Sequence, residues 1–141
     1  MLINMSSAIK FIDLHVFRWL FNTKLLIITI AFEIRRKIMV IHLTQDNFQS
    51  TVLESNKPVL VEFWATWCSP CQRLAPILDD LAQEVKEHGV VAKLDVDDQY
   101  EIADEFGIMN IPTIILFKDG KVEDSILGIH SKDTLKAFMG L

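Results

Sequence analysis

The sequence predicts an α/β domain with a central mixed five-stranded sheet and helices on both faces. Three observations carry that reading. From residue 39 onward, short apolar runs of strand length alternate with stretches of helical periodicity. One run, PVLVEFWA (58–65), is apolar almost throughout, as in a strand covered on both faces. The last two strand candidates flank Asp119-Gly120, a hairpin turn pair. The order β-α-β-α-β-α-β-β-α therefore calls for parallel pairing first and an antiparallel hairpin last.

Element by element, VIHL (40–43) is a short strand candidate. TQDNFQSTVLES follows as a helix with Thr44 as N-cap and Phe48, Val52 and Leu53 at helical spacing. Lys57-Pro58 ends it, because the residue before proline avoids helical angles. After the buried strand, CQRLAPILDDLAQEVKEHG reads as a long amphipathic helix with Leu74, Ile77, Leu78, Leu81 and Val85 on one side, stopped by Gly89. VVAKLDVDD is the next strand, and DQYEIADEFG a short helix closed by Gly107. IPTIILFKDGKVEDSILG gives the two hairpin strands, and SKDTLKAFMG a last helix with Ser131 as N-cap.

The composition is globular: half the residues are apolar and 23% charged. The net charge of −5 divides unevenly along the chain. Residues 1–38 carry six Lys/Arg against two Asp/Glu, whereas residues 39–141 carry eight against seventeen. The acidic body argues against a nucleic-acid partner, since like charge repels phosphate. The chain thus divides into a basic, apolar N-terminal extension (1–38) and a domain (39–141). In the extension the most apolar charge-free run, LLIITIAF, is less than half the roughly 20 residues of a membrane-spanning helix, so a membrane role is not expected. Three readings of the extension stand. It is upstream sequence ahead of a natural start at Met39, where Arg35 and Arg36 would suit two AGG codons of a bacterial ribosome-binding sequence. Or it is an interfacial anchor, or a cleaved signal whose flanking charges are misplaced.

Both cysteines of the chain fall in VEFWATWCSPCQRLAP (61–76). Two cysteines build no disulfide framework and cannot alone complete a structural zinc site. The four histidines, His15, His42, His88 and His130, show no metal-ligand spacing, so no metal is expected. Cys68 falls where a buried strand ends and a helix begins, the usual place for a reactive group in an open α/β sheet. Ser69 as N-cap and Pro70 as first helical residue would place the Cys68 sulfur beside unpaired backbone N–H groups and the positive end of the helix dipole. Both favour thiolate over thiol. Cys71 lies one turn inward on the same face. An exposed, acidic thiol beside a shielded one suits a two-step exchange with a substrate disulfide. Glu62, a carboxylate inside the apolar run, costs several kcal/mol unless neutralised or paired, so its pKa should rise towards neutrality. That makes Glu62 a candidate proton acceptor for Cys71. Lys93, in the next parallel strand, would lie alongside and moderate the shift.

WCSPC, with Phe63 and Trp64 ahead of it and Pro76 inside the helix, resembles the WCGPC motif of the thioredoxin family. The resemblance covers residues 39–141. It extends to GIMNIPTIILFKDG, which is similar to the family's Ile-Pro loop and hairpin, and to Gly128. It implies the thioredoxin fold, a protein-disulfide reductase working through a redox-active Cys68–Cys71 disulfide, and no bound cofactor. It also implies a cis Ile111–Pro112 bond facing that disulfide, and an apolar contact surface for disulfide-containing protein substrates made of Trp67, Ile111, Pro112, Gly128 and Ile129. A thioredoxin reductase as electron donor, a monomeric state and a cytoplasmic location follow from the same resemblance. The alternative is a membrane-tethered or exported thiol-disulfide protein held by residues 1–38. Three positions depart from the pattern. Ser69 replaces a glycine, Gln72 a lysine and Glu62 an aspartate, and Ser69 and Pro70, between the cysteines, tune the redox poise.

Overall fold

The computed structural model describes residue 27 and residues 40–141. The division at residue 38 and the three readings of the N-terminal extension lie outside the described residues. Strand β1 (Ile41–His42) leads into helix α1 (Gln45–Phe48), which continues as a π-helical turn, Gln49–Leu53. Then come β2 (Val59–Trp64), α2 (Ser69–Val85), β3 (Val90–Asp95), α3 (Tyr100–Glu105), β4 (Thr113–Lys118), β5 (Lys121–Leu127) and α4 (Lys132–Met139). The five strands form one sheet in the order β1-β3-β2-β4-β5. β1, β3 and β2 run parallel, while β4 and β5 run antiparallel to their neighbours. This is the mixed five-stranded sheet the alternation predicts.

β2 has neighbours on both sides and is covered on both faces, which explains its continuous apolar run. Its side chains alternate between two cores. Leu60 points to a core shared with Leu74, Leu78, Leu81 and Val85 of α2 and with Leu135 and Met139 of α4. Val59, Val61 and Phe63 point to the other core, with Phe48 of α1, Ile102 of α3 and Phe117 of β4. There the rings of Phe48, Phe106 and Phe117 meet at centroid distances of 5.3–6.1 Å, in the tilted and edge-on arrangements that the ring quadrupole favours. Each fully buried Leu or Phe contributes about 1.5–3 kcal/mol by leaving water, so these two cores fix β2, and with it whatever stands at its C-terminal end. On the outside, Glu84 of α2 accepts from Lys132 at 2.8 Å and Lys136 at 2.6 Å. Those hydrogen bonds hold its carboxyl down to about 2 and tie α2 to α4.

Two helix ends differ from the sequence reading. α2 stops at Val85, whose carbonyl accepts both the His88 and Gly89 N–H groups at 2.8 Å, so Gly89 closes a terminal turn instead of the helix itself. The helix after Thr44 ends at Leu53, ahead of Pro58, where Glu54 leaves helical angles (φ −100°, ψ 6°) and its N–H closes the π turn on the Gln49 carbonyl at 2.9 Å. The hairpin turn does follow the reading, with Asp119 at φ 50° and Gly120 at φ 73°. A Cβ on Gly120 would collide with the Leu53 carbonyl oxygen at the end of that π turn. Gly120→Ala should therefore destabilise the domain by more than the roughly 1 kcal/mol that a left-handed alanine costs alone. Gly107→Ala, also at positive φ but with open space around it, should lose only that smaller amount. Urea unfolding of the two variants side by side tests the difference.

Candidate active site

The sheet delivers Cys68 to its place. β2 ends at Trp64, Ala65–Trp67 turn the chain, and the Cys68 N–H donates to the Ala65 carbonyl at 3.1 Å. Gln72 secures the turn from the helix side, its Nε2 donating to the Thr66 carbonyl at 2.9 Å. α2 then begins, but not at the residue the sequence suggested. Cys68, at φ −82° and ψ 99°, is itself the N-cap, with Ser69 and Pro70 as the first two helical residues. The reason is local: the Cys68 sulfur accepts the Cys71 N–H at 3.2 Å, doing what a serine or aspartate oxygen does at other helix starts. Pro70 has no N–H to satisfy in that first turn.

Cys68 and Cys71 are joined in a disulfide with their Cα atoms 5.3 Å apart, within the usual span. Cys68 is 4% and Cys71 1% exposed. The expected order of exposure holds, yet Cys68 is far less open than an exposed thiol would be. It is enclosed by Ala65, Trp64, Val96 and Ile111, none of which lies near it in the sequence pattern except the first two.

Glu62 is 1% exposed on the central strand. By alternation it points to the same side as Leu60, beneath α2, the helix whose first turn carries Cys71. Burial pushes its pKa up to about 7, against a smaller downward pull from Lys93. Its Oε1 has no hydrogen-bond partner among the described residues. Lys93 pairs with Glu62 in the β2–β3 register, so it lies alongside as expected. Its Nζ, however, stands 4.6 Å from the centroid of the Trp64 ring, a cation–π contact in a half-buried place.

The remaining predicted residues gather at the same end of the sheet. The Ile111–Pro112 peptide is cis. The Pro112 carbonyl accepts the Gly128 N–H at 2.9 Å, which brings Gly128 and the exposed Ile129 to the site. Pro112 is itself buried, so it offers backbone more than side chain to the surface. Trp67 is 68% exposed, and its indole N–H donates to Asp97 Oδ2 at 2.8 Å. Beside the disulfide, Trp67, Val96, Ile108, Met109, Asn110 and Ile111 line a hollow of about 340 Å³. Asp97, Val96 and Met109 were not singled out by the sequence. Asp97 meets Trp67 across 30 residues of chain, which no local spacing reveals. Met109 carried one signal, a bare apolar residue three positions before Pro112.

Among the described residues no three His, Cys, Asp or Glu side chains stand together as metal ligands would. No helix there is long and apolar enough to cross a membrane. A Cys-x-x-Cys pair joined in a disulfide at a strand-to-helix junction marks a dithiol–disulfide oxidoreductase. The thioredoxin family model matches residues 39–140. The chain is 44% identical to a thioredoxin of Rickettsia felis over 69% of its own length and 92% of that protein. It is 50% identical to a thioredoxin of Mycobacterium tuberculosis over 70% and 85%. It is also 48% identical to a bifunctional thioredoxin reductase/thioredoxin of Mycobacterium leprae, over 69% of this chain and 21% of that one. The chain belongs to the thioredoxin family. It is a protein-disulfide reductase, and the cysteine pair is its redox group, with no cofactor required.

The buried carboxyl has a cost that depends on pH. A folded-state pKa above the ordinary 4.5 means that the native protein holds the proton longer than the unfolded chain. Stability should fall as pH rises from 4.5 through about 7 and level off above that. The total would be on the order of 3 kcal/mol, at 1.36 kcal/mol per pKa unit. Glu62→Gln should remove that slope, so urea midpoints of variant and parent should diverge steadily with pH across the window. Parallel curves would mean that Glu62 titrates normally.

Proposed function

We propose that Cys68 is the attacking thiolate, Cys71 the resolving thiol and Glu62 the acceptor of the Cys71 proton. The observation that carries the assignment is the Cys71 N–H aimed at the Cys68 sulfur at the head of a 17-residue helix. In the reduced state that N–H and the helix dipole favour negative charge on Cys68. The Cys68 thiolate attacks one sulfur of a target disulfide. A Cys68–target bond forms, the target S–S bond breaks, and the other target sulfur leaves as thiolate. Cys71 then passes its proton to Glu62 and attacks the Cys68 sulfur. The intramolecular disulfide forms and the second target sulfur departs, so two electrons have moved from the pair to the target.

Lys93 acts by limiting how far burial raises Glu62, and Ser69 and Pro70 act by shaping the first turn of α2. Trp67, Ile111, Pro112, Gly128 and Ile129 hold the target chain across the disulfide. The spent pair is recharged by a thioredoxin reductase, a pairing supported by the fused reductase/thioredoxin of Mycobacterium leprae. We place the protein in the cytoplasm as a monomer, where a reductant of this kind meets its electron donor.

The test is transient kinetics on a protein disulfide. Cys68→Ser should abolish reduction, and Cys71→Ser should accumulate the Cys68–target mixed disulfide. Glu62→Ala should slow resolution at neutral pH by about 10²-fold or more while changing its formation much less, as expected for loss of a general base. Equal slowing of both steps would take Glu62 out of proton transfer.

A further inference from the structure

The hollow beside the disulfide has a neighbour. A second hollow of about 240 Å³ shares Ile108, Met109 and Asn110 with the first and is lined also by Phe106, Ser125 and Leu127. Met109 is 88% and Leu127 61% exposed, an unusual amount of bare apolar surface for one edge of a domain. Met109 belongs to the walls of both hollows, so the second is continuous with the surface that meets the target. No charged side chain lines either hollow, but Asp97 is held beside the first by Trp67, and the stretch of chain that supplies the walls is acidic. Residues 94–117, which supply most of both walls, contain six Asp/Glu and no Lys or Arg.

We propose that Met109 is a specificity-determining residue that divides the docking surface into two subsites, and that the second hollow takes an apolar side chain of the target beside its attacked cysteine. The preferred occupant is an extended segment of a disulfide-bearing protein with a large apolar residue there and basic residues flanking it. Three features support this. An unbranched thioether adapts its shape to different side chains at little conformational cost. An extended target chain laid beside the Pro112–Gly128 contact would place successive side chains on alternate sides, which two hollows sharing one wall can receive. The acidic surround repels acidic segments and draws basic ones, an effect that salt weakens. The inference rests on the assignment of Cys68 as the attacking sulfur, since that sets where the target lies.

The test compares disulfide-bonded peptides in which leucine or glycine is moved through the positions next to the attacked cysteine, with lysine or glutamate as the flanking charge. A small aromatic disulfide serves as the reference substrate. The native chain should show a KM about tenfold lower for leucine than glycine at one such position, with kcat little changed. Lysine flanks should outperform glutamate about threefold at low salt. In Met109→Ala the leucine preference should collapse, and Met109→Leu should restore most of it. Ser125→Phe, which fills the second hollow, should remove the preference while sparing peptides with glycine. Equal KM values across the peptides, or a preference that survives Met109→Ala, would overturn the proposal. So would a chain that doubles in mass with concentration and stops doing so in Met109→Lys, for the patch would then seat a second copy. Reduction of the small disulfide that survives in Cys68→Ser would instead overturn the assignment of Cys68, and the subsites with it.

Discussion

Everything at the site depends on a sulfur that caps a helix. In most helix starts the capping atom is an oxygen whose only task is to satisfy a backbone N–H. Here the capping atom is Cys68 Sγ, the same atom that breaks and makes bonds. The consequence is mechanical as well as electrostatic. The N–H donor belongs to Cys71, so the group that holds the first sulfur in place is the backbone of the residue carrying the second. The two sulfurs cannot drift apart without unwinding the first turn of α2, and that turn is anchored by Leu74 and Leu78 in the core. Proximity, which disulfide exchange needs in its second step, is thus supplied by core packing far from the surface.

The same close packing makes a carboxyl at Glu62 costly. A buried ionisable group on a central strand opposes folding at neutral pH, and an apolar residue there would pack with Leu60 and Val91 at lower cost. The neighbours temper the cost without removing it. Lys93 is held over the Trp64 ring, close enough to pull the Glu62 pKa down but not engaged with Oε1. A direct ion pair would have fixed Glu62 as a permanent carboxylate, unable to take a proton near neutrality. Placing the cation on an aromatic face instead leaves the acid poised to change state.

Much of this was legible in the sequence, and the limits have physical causes. Strand and helix order followed from hydrophobic period, and the burial of Glu62 followed from its neighbours Val61 and Phe63 on a doubly covered strand. The pairing of Glu62 with Lys93 followed from parallel order alone. The N-cap was misplaced by one residue because Ser69 is the ordinary capping type, whereas a cysteine acting as cap leaves no mark in composition. The degree of enclosure of Cys68 was missed because Val96 and Ile111 come from other strands' loops. Long-range pairs such as Trp67–Asp97 depend on where two loops meet, and local spacing carries no record of that.

One of the three departures from the family pattern follows from the same geometry. Gln72 carries no charge where a lysine is usual, and its side chain is spent on the Thr66 carbonyl. It thereby stiffens the turn between β2 and α2 instead of adding a positive charge near the sulfur. In the proposed mechanism, stabilisation of the Cys68 thiolate then falls more heavily on backbone groups: the Cys71 N–H and the dipole of α2. A mobile lysine on the surface is screened within about 8 Å at physiological salt, whereas a fixed N–H 3.2 Å from the sulfur is in direct contact and much less so. The exchange of lysine for glutamine therefore trades a salt-sensitive attraction for a better-ordered loop, and leaves the chemistry resting on the part of the site that the core holds still.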